Sequence, residues 1–140
     1  MQQAETNRTG PKGELALRTL AMPANTNPSG DIFGGWIMSL MDLAAGLAAR
    51  EYADGRVVTA AVSHLSFLAP VKVGDAVCCY VGLAHTGRTS MAFAVETWTL
   101  RQGAHGHRLK VTEAEFTLVA VDEHGQPRPL PPWRERPPAK

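Results

Sequence analysis

One long apolar helix is the sequence feature that most restricts how this chain can fold. The stretch GGWIMSLMDLAAGLAAREY, residues 34–52, predicts a helix over about residues 35–53, and Gly55 follows it, as glycine often does where a helix ends. The large apolar side chains of this helix point to nearly all sides. Such a helix has to be covered on most of its surface, by a sheet of its own chain and by a second subunit. We therefore expect a homo-oligomer.

The rest of the chain is rich in residues that favour strands. Four runs predict strands after the helix, over residues 57–68, 76–85, 89–100 and 109–122. Residues 14–22, before the helix, are expected to form a first strand, although their leucine and alanine content would also allow a helix. The connections are short, including the one at 72–75, so we expect antiparallel neighbours. These elements predict an α+β fold, with one long central helix wrapped by a curved antiparallel sheet of about five strands.

The composition limits the compartment and the kinds of partner. With 140 residues and a formal net charge of +1, the chain suits one domain and gives no electrostatic argument for a nucleic-acid or membrane partner. Cys78 and Cys79 are adjacent on a predicted strand and so point to opposite faces, which disfavours a mutual disulfide. The N-terminus has no apolar signal segment. These observations favour a cytoplasmic protein with no nucleic-acid and no membrane partner.

Proline and glycine divide the chain into three parts. Residues 1–13 are polar and contain both, which predicts a flexible N-terminal segment. The predicted helix and strands lie in a domain that covers 14–125. The prolines of 126–140 cannot continue a strand or a helix and predict a C-terminal tail.

The polar and small residues of the predicted helix lie on one line. At about 100° per residue, Gly35, Ser39, Asp42, Gly46 and Arg50 share a narrow seam. Asp42 needs a partner or a chemical role, because an ionised carboxylate among apolar side chains is costly. The seam is either a solvent-exposed stripe, with Asp42 paired to Arg50 or to a strand group, or a functional site. Arg50 is a poor partner, since it lies about 12 Å away along the helix axis.

The segment before the helix is rich in glycine. GDIFGG, residues 30–35, brings three glycines to the helix start. Free N–H groups and the positive end of the helix dipole can hold an anion or a developing oxyanion there. The segment matches neither the dinucleotide-binding GxGxxG pattern nor a P-loop, which needs a lysine.

Two longer segments carry a resemblance to a known family. MPANTNPSGDIFGGWIMSLMD and VVTAAVSHLSFLAPVKVGDAV together resemble the hotdog-fold acyl-CoA thioesterases, most closely the YciA-like branch, over residues 14–130. The resemblance implies the hotdog fold and hydrolysis of acyl-CoA to a free carboxylic acid and CoA. It also implies a dimer with two active sites at the interface, assembled as a trimer of dimers. No cofactor is implied, because CoA is part of the substrate and the product.

The same resemblance assigns four catalytic residues. Asp42 matches the family's catalytic acid, as general base or nucleophile. Asn27 matches an asparagine in the loop before the helix that helps to place the thioester or the water. Gly34 and Gly35 match the backbone at the helix start that polarises the thioester carbonyl.

Five further residues are candidates for contact with the substrate or its CoA part: Ser39, Phe67, Arg88, Thr89 and Ser90. Arg88 suits the phosphates of CoA, and its turn, shared with Thr89 and Ser90, resembles the CoA-contacting region of the family. A solvated hairpin is the alternative for this turn. Ser39 either bonds back to its own helix or touches substrate.

The histidines predict no metal site. His105 and His107 lie in a predicted loop that offers too few other ligands. His64 lies within a predicted strand, as an ordinary strand side chain or as part of the lining of the site.

Two other functions remain as alternatives. A hotdog hydratase or dehydratase needs a catalytic histidine in the loop before the helix, and residues 23–35 contain none. A non-catalytic acyl-CoA-binding hotdog protein should lack the helix acid, whereas this chain has Asp42. Fold alone does not decide among these functions.

Overall fold

The chain forms one long helix and five strands, in the order that the sequence predicts. This computed structural model describes residues 10–101 and 107–132. In chain order the elements are β1 (Glu14–Leu20), a short 3-10 helix (Pro23–Asn25), α1 (Gly34–Ala53), β2 (Val57–Phe67), β3 (Ala76–Thr86), β4 (Ser90–Leu100) and β5 (Arg108–Ala120). Each predicted boundary lies within two residues of the observed one. Within the described ranges, no helix is long and apolar enough to cross a membrane.

The five strands form one sheet in the order β1-β3-β4-β5-β2, and every pair of neighbours is antiparallel. β1 lies outside β3, and β2 lies outside β5. The curved antiparallel sheet of five strands is therefore confirmed. The prediction that the 72–75 connection joins antiparallel neighbours is wrong, because β2 and β3 do not pair with each other.

The connection between β2 and β3 passes the start of the helix instead of making a tight turn. Residues 68–71 line one cavity together with Gly34, the first residue of α1. Further along, the buried Asp75 carboxylate accepts hydrogen bonds from the backbone N–H of Lys72 at 2.9 Å and from Arg101 Nε at 3.0 Å. The connection thus covers one end of α1, and this path carries the chain from one side of the sheet to the other.

The core lies between α1 and the face of the sheet that the helix covers. The helix buries Ile37, Met41, Ala44, Ala45, Ala49 and Ala53. Opposite them the sheet buries Met91, Phe93 and Val95 of β4 and Ala114, Phe116, Leu118 and Ala120 of β5. Met91, Phe93 and Val95 all join the core cluster, and burial alternates along β5, as the strand periodicity of the sequence predicts, whereas β4 is buried on both faces over most of its length. The four buried alanines of the helix let it lie close to the sheet, because they add little bulk at the contact.

The opposite side of α1 is not covered by the described residues of its own chain. Leu43 and Leu47 of the helix are 54% and 49% exposed. Val62 of β2 is 40% exposed and pairs with the core residue Phe116, so it lies on the helix side of the sheet. We call Leu43, Leu47 and Val62 the open surface. A single subunit thus leaves part of the apolar surface of α1 exposed to solvent. This exposure agrees with the expectation of a partner subunit.

The outer face of the sheet carries a second, smaller cluster of buried side chains, formed by Cys78, Tyr80 and Trp98. Cys79 belongs instead to the core beneath the helix. The two cysteines are free and point to opposite faces, as their adjacency on a strand predicts.

Parts of both chain ends fall outside the described residues. The predicted N-terminal segment, 1–13, is described only from residue 10 onward, and the predicted tail, 126–140, only as far as residue 132. The described part of the tail packs against the domain, where Leu130 is 8% exposed and joins the core cluster.

The buried thiol of Cys79 predicts a loss of stability at alkaline pH. Burial raises the pKa of Cys79 to about 11, from an ordinary value of 9.0. Between these values the unfolded chain releases the thiol proton and the folded chain keeps it, so the free energy of unfolding falls as pH rises. This contribution is fully present below pH 9. The free energy of unfolding can be measured with urea at pH 8 and at pH 10.5. We expect its decrease between these two pH values to be about 1–2 kcal/mol larger in the wild type than in Cys79→Ala.

Cys78→Ala serves as the control for this measurement, since it removes a cysteine of the same strand and keeps Cys79 in place. It should retain the alkaline loss of the wild type. An equal loss in Cys79→Ala and wild type would show that the Cys79 thiol is not its source.

Candidate active site

Asp42 lies in the middle of α1, on the side that the sheet does not cover. Its Oδ1 accepts a hydrogen bond of 2.6 Å from Thr59 Oγ1 on β2, and both groups are exposed in the single subunit. A hydrogen bond to an ionised carboxylate is stronger than one between neutral groups, and it fixes the orientation of the carboxylate. The partner of Asp42 is therefore a strand group. Arg50 forms no ion pair with Asp42 in the described part of the chain.

Thr59 is the residue of this arrangement that sequence reasoning missed. A single hydroxyl in a strand carries no local signal, since threonine is common in strands. Only the packing of α1 beside β2 brings the hydroxyl to the carboxylate, across 17 residues of chain.

The helix start presents backbone N–H groups that no side chain caps. Phe33 precedes the helix in an extended conformation and makes no side-chain capping bond, and the first turn contains no acidic residue. The N–H groups of Gly34 and Gly35 lack acceptors within the helix, as in the first turn of any α-helix. Together with the helix dipole they can stabilise a negative charge.

Gly34 has a structural reason to be glycine. A Cβ built on Gly34 would lie 2.9 Å from Cζ of Phe67, closer than carbon atoms pack. The absence of a side chain therefore lets the Phe67 ring rest against the helix start. The ring and the Gly34 backbone are two walls of the same cavity.

Asn27 organises the loop that leads into the helix. Its side-chain Oδ1 accepts hydrogen bonds from the backbone N–H of Ser29 at 2.9 Å and of Asp31 at 3.1 Å. These bonds use only the oxygen of the amide and leave its Nδ2 group as a donor. Asp31 is tied in turn to Lys72 by an ion pair of 3.1 Å, which links the loop to the β2–β3 connection.

A cavity that is open to solvent lies between the helix start and the β2–β3 connection. It has a volume of about 480 Å³. Its walls are formed by Ile32, Gly34, Ile37, Phe67, Leu68, Ala69, Pro70 and Val71. Seven of these eight lining residues have apolar side chains, but backbone polar groups, including those of Gly34, also face the cavity.

A single subunit does not bring all of the predicted site residues together. Gly34, Gly35 and Phe67 lie at the helix start. Asp42 comes eight residues after Gly34, about 12 Å along the helix axis, and does not line the cavity.

The turn of Arg88 lies still farther from the helix start. Phe67 pairs with Thr112, whereas Ser90 pairs with Val119, seven residues further along β5. At about 3.4 Å per residue this separation is about 24 Å. Arg88 itself is exposed in the turn between β3 and β4.

The remaining candidates have other local roles or lie elsewhere. Ser39 Oγ donates a hydrogen bond of 2.6 Å to the backbone oxygen of Trp36, which is the bond back to its own helix that the sequence offered as an alternative. His64 has a positive φ of 56° at an irregular point of β2 and is exposed. His105 lies outside the described residues. Among the described residues, no group of three histidine, cysteine, aspartate or glutamate side chains is placed to hold a metal ion.

The sequence profile of the thioesterase superfamily matches residues 29–104, more than half of the chain. The chain belongs to the thioesterase superfamily. The profile covers α1, Asp42, Thr59 and the Arg88 turn in a single match.

A curated relative supports the same family over a longer stretch. The acyl-CoA thioester hydrolase YciA of Salmonella typhimurium is 54% identical to this superfamily member over 123 residues, which are 86% of this chain and 92% of that protein. The resemblance to the YciA-like branch is thereby confirmed.

Solved structures confirm the hotdog fold of this thioesterase-superfamily chain. A hexameric thioesterase from Yersinia pestis is 53% identical with a TM-score of 0.84, covering 87% of this chain and 99% of that one. A hexameric hotdog fold thioesterase of Campylobacter jejuni is 41% identical with a TM-score of 0.80, covering 85% of this chain and 91% of that one.

A more distant solved structure was determined with CoA compounds bound. An acyl-CoA hydrolase from Staphylococcus aureus, in complex with butyryl-CoA, CoA and CoA disulfide, is 28% identical with a TM-score of 0.76. It covers 82% of this chain and 70% of that one. Structures of that enzyme also exist with an asparagine replaced by alanine and with an aspartate replaced by alanine.

Proposed function

We propose that this protein hydrolyses acyl-CoA thioesters to a free carboxylic acid and CoA, with Asp42 as general base or nucleophile. The observation that carries the proposal is a helix carboxylate held by the Thr59 hydroxyl on an uncovered surface, beside the exposed Leu43 and Leu47. The activity named for the YciA relative supports it. The aspartate and asparagine variants of the S. aureus enzyme support roles for the same residue types.

Two routes of hydrolysis fit this arrangement. As a base, Asp42 takes a proton from water while the water oxygen adds to the thioester carbonyl. As a nucleophile, its carboxylate attacks the carbonyl and forms a mixed anhydride, which water then cleaves. In both routes the tetrahedral oxyanion collapses and expels CoA as a thiolate, which takes up a proton. The N–H groups of Gly34 and Gly35 stabilise the oxyanion.

The proposed site contains residues from two chains. Asp42 and Gly34 of one helix are about 12 Å apart along the axis, too far to act on one carbonyl. A two-fold axis at the open surface would set a second α1 beside the first in the opposite direction. The helix start and Asn27 of one chain would then approach Asp42 of the other, while Leu43 and Leu47 become buried.

The same two-fold axis would bring the CoA part of the substrate close to residues of both chains. In one chain the Arg88 turn and the cavity are separated by about 24 Å along β5. Reversing the second chain brings its turn toward the first chain's cavity. The acyl group or the pantetheine arm would then lie by Phe67, and the phosphates by Arg88, Thr89 and Ser90 of the partner.

The solved structures of relatives support a proposal for how dimers of this chain assemble further. The Yersinia pestis and Campylobacter jejuni structures are hexameric. We infer a trimer of dimers for this chain. We also infer that it works in the cytoplasm, because a reducing medium suits its free Cys78 and Cys79. The proposed chemistry uses no cofactor beyond the CoA of the substrate.

Replacing Asp42 by asparagine separates a catalytic role from a structural one. Asp42→Asn keeps the shape of the side chain but removes its charge and basicity. We expect kcat for acyl-CoA hydrolysis to fall by about 100-fold or more, because a transition-state interaction is lost. The melting temperature should hold or rise, since active-site residues are often not optimal for stability.

Glu51→Gln is the matched control for the Asp42 variant, because Glu51 is an exposed carboxylate on the same helix. It should leave turnover unchanged. A folded Asp42→Asn protein with near-normal turnover would end the catalytic assignment and favour a non-catalytic acyl-CoA-binding protein or a hydratase, which product analysis tells apart.

Thr59 should act on turnover through Asp42. Thr59→Val keeps the volume and removes the hydroxyl that orients the carboxylate. We expect kcat to fall about 10-fold, the equivalent of one orienting hydrogen bond, with KM little changed. Thr59→Ser restores the donor and should recover most of the rate. Equal rates for the valine and serine variants would mean that the hydroxyl has no part in turnover.

Mixing two inactive variants tests whether the site is shared between chains. Asn27→Ala and Asp42→Ala chains should each be inactive alone. After subunit exchange, a random mixture of dimers has one intact site in every mixed dimer, so about a quarter of wild-type activity should return. Mixed subunits confirmed by mass spectrometry without any return of activity would place Asn27 and Asp42 in the same chain's site.

A further inference from the structure

The chain folds back on itself directly after β5. The Asp122 side chain accepts hydrogen bonds from the backbone N–H of His124 and of Gln126, both at 2.9 Å, and the Gly125 N–H bonds to the Asp122 carbonyl at 3.0 Å. Pro127 then returns beside Val121 in a β-bridge. This tight turn directs residues 127–130 back onto the domain.

Arg128 fastens the returning segment to the end of the helix. Its Nη2 donates a hydrogen bond of 3.0 Å to the carbonyl of Ala53, the last residue of α1. Its Nε bonds to the carbonyl of Val121 at 3.0 Å, and its backbone N–H to that of Ala120 at 2.9 Å. A Cβ on Gly55 would lie 2.7 Å from Nη2, so the guanidinium passes directly over that glycine. The segment is thereby attached at several points.

Leu130 fastens the same segment to the turn between β3 and β4. Its side chain is 8% exposed and belongs to the core cluster. Its backbone N–H donates a hydrogen bond of 2.9 Å to the carbonyl of Arg88. The next carbonyl of the turn, that of Thr89, accepts from the N–H of Ala120 at 2.9 Å. Residues at and after the end of β5 therefore hold two successive carbonyls of the turn.

We propose that residues 127–130 form a clasp that positions the Arg88 turn for the CoA part of the substrate, a role that rests on the proposed thioesterase function. The turn is closed by a backbone hydrogen bond of 2.9 Å from the Gly87 N–H to the Ser90 carbonyl, but residues 83–88 are exposed, so side-chain packing adds little to its order. Without the clasp the Arg88 backbone would be held less firmly, and ordering it when CoA binds would lower affinity. Leu130 is thus a positioning residue, which acts on the substrate through the backbone of Arg88.

The clasp should affect only substrates that reach Arg88. Leu130→Ala removes the buried side chain that anchors the segment, and Leu130→Val is a milder truncation in case the alanine variant does not fold. Each is assayed with an acyl-CoA and with the matching acyl-pantetheine, which lacks the nucleotide and its phosphates. We expect KM for acyl-CoA to rise about fivefold in Leu130→Ala, with kcat and the KM for acyl-pantetheine unchanged.

Val77→Ala is the matched control. Val77 is fully buried near the start of β3, nine residues and about 30 Å along the strand from the Arg88 end. It should lower the melting temperature about as much as Leu130→Val without changing the ratio of the two KM values. If Leu130→Ala raises both KM values equally, its effect is a general loss of structure and the clasp is overturned.

Arg88→Ala, alone and combined with Leu130→Ala, separates the clasp from the proposed function. Both single variants should raise the KM for acyl-CoA, and the double variant should add little, because both changes act on the same contact.

An effect of Arg88→Ala without one of Leu130→Ala overturns the clasp and leaves the function intact. No effect of Arg88→Ala on KM overturns the clasp as well, since its target then does not bind CoA. Absence of turnover in the wild type would instead overturn the proposed function, and the dissociation constant of CoA would then test the clasp directly.

Discussion

The burial of one side of α1 against the sheet is the constraint on which the rest of the structure depends. The helix meets the sheet through small residues, including Ala44, Ala45 and Ala49, and through the larger Ile37 and Met41. This contact removes the main apolar surface of the chain from water, and burial of that kind is the dominant favourable term in folding. It also determines which side of the helix remains outward, and that side carries Asp42.

The position of Asp42 explains how an apolar helix tolerates a carboxylate. Its side chain lies on the uncovered side of α1, where water still reaches it, and the Thr59 hydroxyl satisfies one of its oxygens. Folding of the single chain therefore does not have to desolvate a charge without compensation. In the proposed dimer the carboxylate would be desolvated only on association, at a surface where the exposed Leu43 and Leu47 would gain from burial.

The cavity and the Arg88 turn lie at opposite ends of the molecule. The helix start, with Gly34 and Phe67, lines the cavity, and the other end of the sheet holds the exposed Arg88. Residues 127–130 connect that second end to the last residue of the helix and to the core. The first residue of α1 thus lines the cavity, and its last residue is joined to the Arg88 turn through residues 127–130.

The sequence by itself determined the elements, their bounds and which residues share a face. Helical and strand periodicities are local properties, so they were sufficient to predict α1, the four strands after it and the opposite directions of Cys78 and Cys79. Family motifs pointed to Asp42 and the helix-start glycines as site residues, and those roles stay predictions. Only the tertiary structure decided that β2 lies beside β5 instead of β3, that Thr59 is the partner of Asp42, and that Leu130 holds the Arg88 turn. These contacts join residues that are distant in sequence, so no local pattern predicts them. They form because the packing of α1 against the sheet decides which strand lies beside the helix and where residues 127–130 can pack.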